Sequence, residues 1–466
     1  MKISTHILIL MAFVCLVFSW QSKQSVTQNR ELTVNLVVDR DESSVDRFMA
    51  LIDDERSERR GAITEIEKYW DGNDVPLLLE ILVFVQDPEI RSEIVRVLSE
   101  RTGQAFGDDL NQWYRWSWNR DFDRDPSYAT FKRLLYARID PRFTEYFDEA
   151  RISSIRLDEI RWGGVRRDGI PPLKNPETIP ANDATYLADS DVVFGVHLGG
   201  KARAYPKRIL AWHEMVKDVV GGVSINGVYC TLCGSMIIYQ PDHNGKHYEL
   251  GTSGFLYRSN KLMYDHETKS LWSTLEGKPV VGPLVGNGIE LESLSVVTTT
   301  WGHWKKLHPT TDVLSLRTGH RRDYGEGVAY QKYFATDDLM FIVPKTDPRL
   351  KNKDEVLVVR GDHSSIALSA AFLKANRVYH LECDDQRLVV LTDDTYANRV
   401  YKCDDVQFEA WDGSTIIKSL DGVQWLVSES ALTQHLNDSQ VLVRAASHRA
   451  FWFGWYSAFP GTKLIQ

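Results

Sequence analysis

Residues 223–239, VSINGVYCTLCGSMIIY, carry the pair Cys230-x-x-Cys233 between two stretches of strand-forming residues. Asn226-Gly227 is a strong β-hairpin signal, because both residues tolerate the positive φ that a tight turn requires. The β-branched and aromatic residues after the second cysteine predict a strand. A thioredoxin-type pair instead begins a helix. The stretch therefore predicts a β-rich fold around the cysteine pair and disfavours a thioredoxin fold.

The same short-strand pattern continues over residues 184–466. DVVFGVHLGGKARAYP is typical of two strands around Gly199-Gly200, and Asn244-Gly245 marks a further strand pair. The aromatic string FWFGWYSAFP (451–460) is interpreted as a core strand. This half of the chain is therefore predicted to be a β-rich α+β domain of sandwich or barrel-like form.

Residues 44–150 have a different, helical pattern. VPLLLEILVFVQ and PEIRSEIVRVLSERTG carry apolar residues three and four positions apart. Asp87-Pro88 is a capping residue followed by proline at the first helical position, and Gly103 is suited to end the second helix. The helix pair resembles one HEAT-type repeat, which needs a neighbour to bury its faces. The Pro- and Gly-rich residues 163–183 mark the boundary with the β-rich part.

The N-terminus predicts export. Lys2 precedes an apolar run from Ile7 to Phe18, which is short for a membrane span and typical of a signal peptide. No clear cleavage site follows, so residues 1–20 are either a signal peptide or an uncleaved anchor, and polar residues 21–43 form a linker. We expect a bacterial protein that is periplasmic or extracellular, with any membrane attachment through the N-terminus.

Composition restricts the classes of partner. The chain has 466 residues, a formal net charge of −9, and 43% hydrophobic residues. Such a composition is globular, and the length predicts two or three domains. Nucleic-acid binding is disfavoured, because it requires a concentrated basic surface. An unidentified small molecule or protein is the expected partner.

The cysteine count suggests disulfide chemistry in an oxidising compartment. If Cys15 is removed with a signal peptide, Cys230, Cys233, Cys383 and Cys403 remain. An even number of cysteines in an exported protein favours bridges. Cys383 and Cys403 flank a strand-rich excursion, so we predict a structural disulfide between them.

Five ordered strings resemble one family over residues 165–462. They are GGKARAYPKRILAWHEMVKDVVGG, VYCTLCGSMIIY, GTSGFLYRSNKLMYDHETKSLWSTLEGKPVVGP, TTTWGHWKKLHP and FWFGWYSAFPGT. Together they are similar to the bacterial and archaeal domain of unknown function numbered 3179, whose relatives include chains with a helical-repeat segment ahead of the domain. That family usually has proline at the position of Thr231 and arginine at that of His266. The resemblance implies no reaction.

Three readings of the cysteine pair stay open. Cys230, Cys233 and His213 would form a Cys₂His set for a copper or zinc ion with an open position, in a metal-binding or redox domain. A dithiol/disulfide pair without metal is the second reading, and a structural disulfide in a non-enzymatic binding module is the third. Glu214 and Asp265 are the candidate acid–base groups, although Asp265 equally suits a turn cap. Whether the protein is an enzyme is left open.

Overall fold

A computed structural model describes residues 42–122, 127–435 and 440–466. The apolar run from Ile7 to Phe18 and nearly all of the predicted linker lie outside these residues. Within the described ranges, no helix is both long enough and apolar enough to cross a membrane. Residues Arg47–Gln466 form one compact unit.

The chain begins with helices and continues with strands and short helices. The helices are α1 (Glu42–Met49), α2 (Arg56–Lys68), α3 (Asp74–Ile81), α4 (Pro88–Thr102), α5 (Leu110–Trp118), α6 (Ser127–Ala137), α7 (Lys207–His213), α8 (Trp301–Leu307), α9 (Gln331–Phe334), α10 (Ala370–Ala375) and α11 (Trp452–Ala458). This order confirms the α+β class.

The strands follow the first six helices, after two short 3₁₀ helices at Pro141–Glu145 and Leu157–Glu159. As far as Leu314 they are β1 (Ile160–Trp162), β2 (Leu173–Lys174), β3 (Thr178–Pro180), β4 (Val192–Leu198), β5 (Lys201–Pro206), β6 (Met215–Val220), β7 (Val223–Cys230), β8 (Ser235–Tyr239), β9 (Asp242–His243), β10 (Lys246–His247), β11 (Leu250–Tyr257), β12 (Asn260–Asp265), β13 (Leu271–Ser273), β14 (Lys278–Val281), β15 (Ser293–Leu294), β16 (Val297–Thr300) and β17 (Asp312–Leu314). The later strands are β18 (Glu355–Arg360), β19 (Ser365–Ser369), β20 (Val378–Cys383), β21 (Gln386–Thr392), β22 (Asn398–Lys402), β23 (Ile416–Lys418), β24 (Gln424–Val427), β25 (Ala431–Gln434), β26 (Val441–Val443), β27 (His448–Phe451) and β28 (Lys463–Ile465).

A central sheet of order β15-β8-β7-β6-β2 is covered on both faces. On one face Met236 and Ile238 of β8 pack into a core shared with the sheet β16-β4-β5-β17-β3. On the other face Ile237 and Tyr239 pack into a core shared with the sheets β1-β11-β12-β13-β14 and β27-β18-β19-β28. Successive side chains of a strand point to opposite faces of the sheet. A strand that is buried on both faces therefore has apolar residues at consecutive positions, as the sequence here does.

The predicted hairpin at Asn226-Gly227 is wrong. β7 passes through both residues, and the turn from β6 lies at Gly221-Gly222, where φ is 55° and 83°. Gly227 is needed for packing instead: a Cβ there would lie 2.7 Å from Val216 Cγ1 and 2.9 Å from Met236 Cε. The short motif therefore marks a close approach of neighbouring side chains and not a turn.

The two other predicted hairpins are confirmed. β4 and β5 pair around Gly199-Gly200, and β9 and β10 pair around Asn244-Gly245. The string 451–460 differs from its prediction, because residues Trp452–Ala458 form α11. Trp452 and Trp455 are both buried on that helix, so its aromatic residues belong to the core as expected.

The predicted start and end of α4 are also confirmed. The Asp87 carboxylate accepts hydrogen bonds from the amides of Glu89 and Ile90, Pro88 occupies the first turn, and Gly103 ends the helix with φ 71°. α3 and α4 pack against each other, as the predicted helix pair requires. The HEAT-like character of the segment stays a prediction.

The helical part shares a core with the first β-sheet. The Phe255 ring of β11 lies 4.9 Å from Tyr136 and 4.8 Å from Phe143 between ring centroids, and it also contacts Tyr146 and Phe147. Phe255 is 1% exposed. The segments on the two sides of the predicted boundary near residues 163–183 are therefore packed together inside one compact unit.

Two histidines connect α8 to the C-terminal sheets. His303 Nε2 lies 3.0 Å from an Asp393 carboxylate oxygen, and His308 Nε2 lies 3.7 Å from one of Glu429. Arg399 is 3% exposed and binds both carboxylates, at 2.8 Å from Asp393 and 2.7 Å from Glu429. Arg444 adds a second cation beside Glu429.

This network keeps its carboxylates ionised. Burial raises the pKa of Asp393, but the contact with His303 and the charge of Arg399 outweigh it, so the pKa lies well below the ordinary value. Burial likewise opposes ionisation of Glu429, and Arg399, His308 and Arg444 hold its pKa well below the ordinary range. These depressed pKa values favour the folded state wherever unfolded carboxylates would also be ionised.

We expect Phe255→Ala to reduce the free energy of unfolding by about 3–5 kcal/mol, because it leaves a cavity in the core between helices and sheet. Urea denaturation followed by circular dichroism measures this loss. Val219→Ala, at a side chain that is 47% exposed, is the control and should change stability by less than about 0.5 kcal/mol. Equal stability of the two variants would show that helices and sheet do not share a core.

We also expect acid to destabilise the protein through Asp393 and Glu429. Their folded pKa values are depressed, so their contribution is present above the unfolded value of about 4 and is lost as pH falls towards the folded values. Asp393→Asn should cost about 3 kcal/mol at pH 7 and reduce the further loss between pH 5 and pH 3. Urea midpoints across this pH range, with exposed Glu58→Gln as control, test it. An unchanged acid response in Asp393→Asn contradicts the assignment.

Candidate functional site

The cysteine pair lies in the turn between β7 and β8, at one end of the central sheet. Cys230 and Cys233 form a disulfide, with their Cα atoms 5.4 Å apart. Their residue exposures are 2% and 0%. The backbone oxygen of Cys233 accepts a hydrogen bond from the Phe451 amide at 2.7 Å, which fixes the turn against β27.

Residues 330–343, here called the cover segment, lie over the disulfide. Tyr333 and Val343 pack in the same buried cluster as both cysteines, and Phe341 packs against that cluster. The Tyr333 hydroxyl donates to the backbone oxygen of Leu232 at 2.7 Å. The two cysteines are therefore buried among these side chains and do not face open solvent.

A buried ion pair lies next to the disulfide loop. Glu214 and Lys261 are 8% and 5% exposed, and Lys261 Nζ donates to Glu214 Oε2 at 3.0 Å. Glu214 Oε1 accepts from the Thr231 hydroxyl at 2.8 Å and from the Tyr330 hydroxyl at 3.2 Å. Burial lowers the pKa of Lys261, and the charge of Glu214 opposes that change. The pair therefore places one ammonium and one carboxylate in a largely apolar setting.

Local backbone geometry directs Glu214 to this position. Helix α7 ends at His213, and Glu214 adopts a left-handed conformation with φ 55°, its amide donating to the oxygen of Leu210. A residue without glycine's freedom in this region carries strain, which is more frequent at functional sites than elsewhere. Lys261 reaches Glu214 from β12, directly after the positive-φ residues Arg258 and Ser259.

The ion pair lines a small cleft of about 70 Å³ beside the cover segment. Its walls also include the apolar side chains of Val165, Ile170, Leu232, Leu256 and Phe341. A space of this size can hold water or a ligand of a few non-hydrogen atoms. An apolar pocket with a few convergent polar groups is the usual form of a small-molecule site.

His213 is not assembled with the cysteines as a metal ligand. Its Nδ1 lies 2.8 Å from the oxygen of Pro171 and its Nε2 lies 2.6 Å from the Tyr324 hydroxyl, so both ring nitrogens have other partners. Across the described residues, no group of three or more histidine, cysteine, aspartate or glutamate side chains is arranged to hold a metal ion. The predicted Cys₂His site for copper or zinc is therefore not formed, and the cysteines are joined instead.

Asp265 caps a turn, which is the alternative that its sequence also allowed. Its carboxylate accepts from the amides of Glu267, Thr268 and Ser270, and from the Trp272 indole. Hydrogen-bond donors surround both carboxylate oxygens of Asp265. These hydrogen bonds order the turn after β12 and leave the carboxylate little capacity to transfer a proton. Of the two candidate acid–base residues, the structure places only Glu214 in the cleft.

Cys383 and Cys403 are free thiols and do not form the predicted bridge. They lie on opposite faces of the sheet β20-β21-β22: Cys383 packs with Leu388, whereas Cys403 packs with Val389 on the other side. Burial raises the pKa of Cys403 to about 11. An even cysteine count does not reveal which face of a strand each thiol occupies.

Sequence reasoning missed Lys261 and Tyr330 and noted Thr231 only as a departure from the family pattern. One signal was present: Lys261 directly precedes the apolar residues Leu262 and Met263 in a strand, and a buried lysine needs a partner. Nothing local to the sequence identifies Tyr330, because the long connection after β17 brings it to the cleft.

Thiol mapping tests the cysteine assignment. When the protein is denatured without reductant and alkylated, we expect modification of Cys383 and Cys403 and protection of Cys230 and Cys233. Adding dithiothreitol before alkylation should expose the protected pair, as peptide mass spectrometry would show. Alkylation of Cys230 in the absence of reductant contradicts the structure.

Comparison with known proteins identifies the family and no characterised relative. The model for the family described as "Protein of unknown function (DUF3179)" matches residues 167–462. No curated protein and no solved structure matches the chain. The matched region spans more than half of the chain and contains the central sheet, the disulfide and the Glu214–Lys261 pair. The chain therefore belongs to the DUF3179 family.

Proposed function

We propose that this chain is an exported binding protein that holds a small neutral carbonyl compound in the cleft beside Lys261. The observation that carries the proposal is the hydrogen-bonding state of Lys261. An ammonium has three donors, and within the described residues Glu214 is the one acceptor paired with it. Unmet donors on a buried charge are costly, so an acceptor in the cleft would stabilise the site.

Charge and shape favour a neutral oxygen acceptor. The Lys261–Glu214 pair has no net charge, and a carboxylate ligand would place a second negative charge near Glu214. A ketone, ester or amide oxygen can accept from Nζ without that repulsion. The apolar walls formed by Val165, Ile170 and Leu256 would contact the hydrocarbon part of such a ligand.

Export is supported by two independent features. Lys2 and the apolar run from Ile7 to Phe18 have the pattern of a signal peptide or anchor. A formed disulfide between Cys230 and Cys233 suits an oxidising compartment. On this proposal the protein acts in the periplasm or outside the cell, and the disulfide supports the cleft instead of binding metal.

The proposal predicts selective binding of 2-butanone over propionate, which has the same number of non-hydrogen atoms but carries a charge. Saturation-transfer NMR titrations on the full-length protein measure both. We expect Lys261→Met to weaken 2-butanone binding at least tenfold, because the ketone oxygen loses its donor.

Lys217→Met is the matched control, since Lys217 is also partly buried and pairs with Glu249 at 3.0 Å, in β6 and away from the cleft. This control should bind 2-butanone as the unmodified protein does. The double change Lys261→Met with Glu214→Gln shows whether the single variant fails merely because Glu214 is left without its cation. Full affinity in both Lys261 variants would reject the proposed function.

A further inference from the structure

The disulfide loop contributes directly to the ligand cleft. Thr231 and Leu232 are the two residues between the cysteines. Thr231 donates its hydroxyl to Glu214 Oε1 at 2.8 Å, and Leu232 lines the cleft. The position of the loop therefore fixes one donor to the carboxylate that holds Lys261, as well as part of the apolar wall.

The opposite side of the loop has no room to adjust. A Cβ added at Gly454 would lie 2.8 Å from Cys233 Cβ, and one added at Gly234 would lie 2.9 Å from the Phe451 ring. Two thiol sulfurs need van der Waals separation, which is much larger than the length of a disulfide bond of about 2.05 Å. Since interiors are close-packed, the extra volume must displace the side of the loop that borders the cleft.

We propose that the redox state of Cys230–Cys233 controls ligand binding at the Lys261 cleft, an inference that rests on the proposed binding function. In the oxidised protein the loop holds Thr231 against Glu214 and keeps the cleft in its binding form. Reduction separates the two sulfurs and moves Thr231 and Leu232. The cleft then loses the geometry that orients Lys261 towards a carbonyl oxygen.

The reductant is a dithiol, either a small molecule or a protein. One of its thiolates attacks a cysteine sulfur, the bond between Cys230 and Cys233 breaks, and a mixed disulfide forms. The second thiol of the reductant then displaces the bound cysteine and closes its own disulfide. In total two electrons and two protons pass to the protein, which gains two thiols, and the dithiol is oxidised to a disulfide.

The cover segment controls access to this reaction. Both sulfurs are buried beneath Tyr333 and its neighbours, so a dithiol must displace the cover before it reaches them. Tyr333→Phe removes the hydrogen bond to the Leu232 oxygen and should speed reduction by dithiothreitol several-fold. Tyr69→Phe, at a side chain that is 56% exposed, is the control and should leave the rate unchanged.

The main experiment compares 2-butanone binding to the full-length protein before reduction, in dithiothreitol, and after reoxidation. We expect affinity to fall at least fivefold on reduction and to recover on reoxidation. Cys383→Ser with Cys403→Ser should keep this response, because these thiols lie outside the cleft. Cys230→Ser with Cys233→Ser should bind weakly under both conditions.

A second readout separates this inference from the proposed function. The Lys261 side-chain resonances, observed in lysine-labelled protein without ligand and assigned with Lys261→Met, should shift on reduction. Absence of 2-butanone binding in both redox states rejects the proposed function, whereas the Lys261 resonances still report on the coupling. Unchanged resonances, or equal affinity in the two redox states, overturn the inference. Unfolding on reduction, seen by circular dichroism, also overturns it, because the disulfide would then be a general support.

Discussion

Burial of the central sheet on both faces is the constraint on which the rest of the structure depends. β8 supplies Met236 and Ile238 to one core and Ile237 and Tyr239 to another. The sheets on both sides of the central sheet therefore pack against this strand. Displacing β8 by one residue would exchange every side chain between the two cores. The turn that joins β7 to β8 carries the disulfide, and its position therefore follows from the packing of the sheet.

The same constraint explains why a charged pair can exist so close to the core. β12 and the end of α7 are each held by apolar packing, which brings Lys261 to Glu214 at a fixed distance. The family resemblance adds a point about Thr231. A proline at that position has no hydroxyl and could not donate to Glu214, so this arrangement of the carboxylate depends on the residue that this chain has.

Local signals predicted much of the fold and little of the site. Helix α4 was predictable from its cap and its terminal glycine, because those residues act within one turn. The failure at Asn226-Gly227 has a tertiary cause: the glycine accommodates Val216 and Met236 from adjoining strands. The Lys261–Glu214 pair joins residues 47 positions apart. Tyr330 lies 116 positions from Glu214, and no periodicity in the sequence encodes such distances. The opposite faces occupied by Cys383 and Cys403 likewise depend on strand register.

Closure of the fold by α11 has a consequence for the order in which the protein is assembled. Arg258 donates to the oxygen of Ser457, 199 positions later, and Asn260 donates to the oxygen of Gly454. Contacts of such separation form slowly, because much of the chain must be brought together before they stabilise it. A nascent chain therefore cannot complete the packing around the cysteine turn until α11 has been synthesised. Until then the two cysteines lack their contacts with Phe451 and Phe453, and the arrival of this segment buries them.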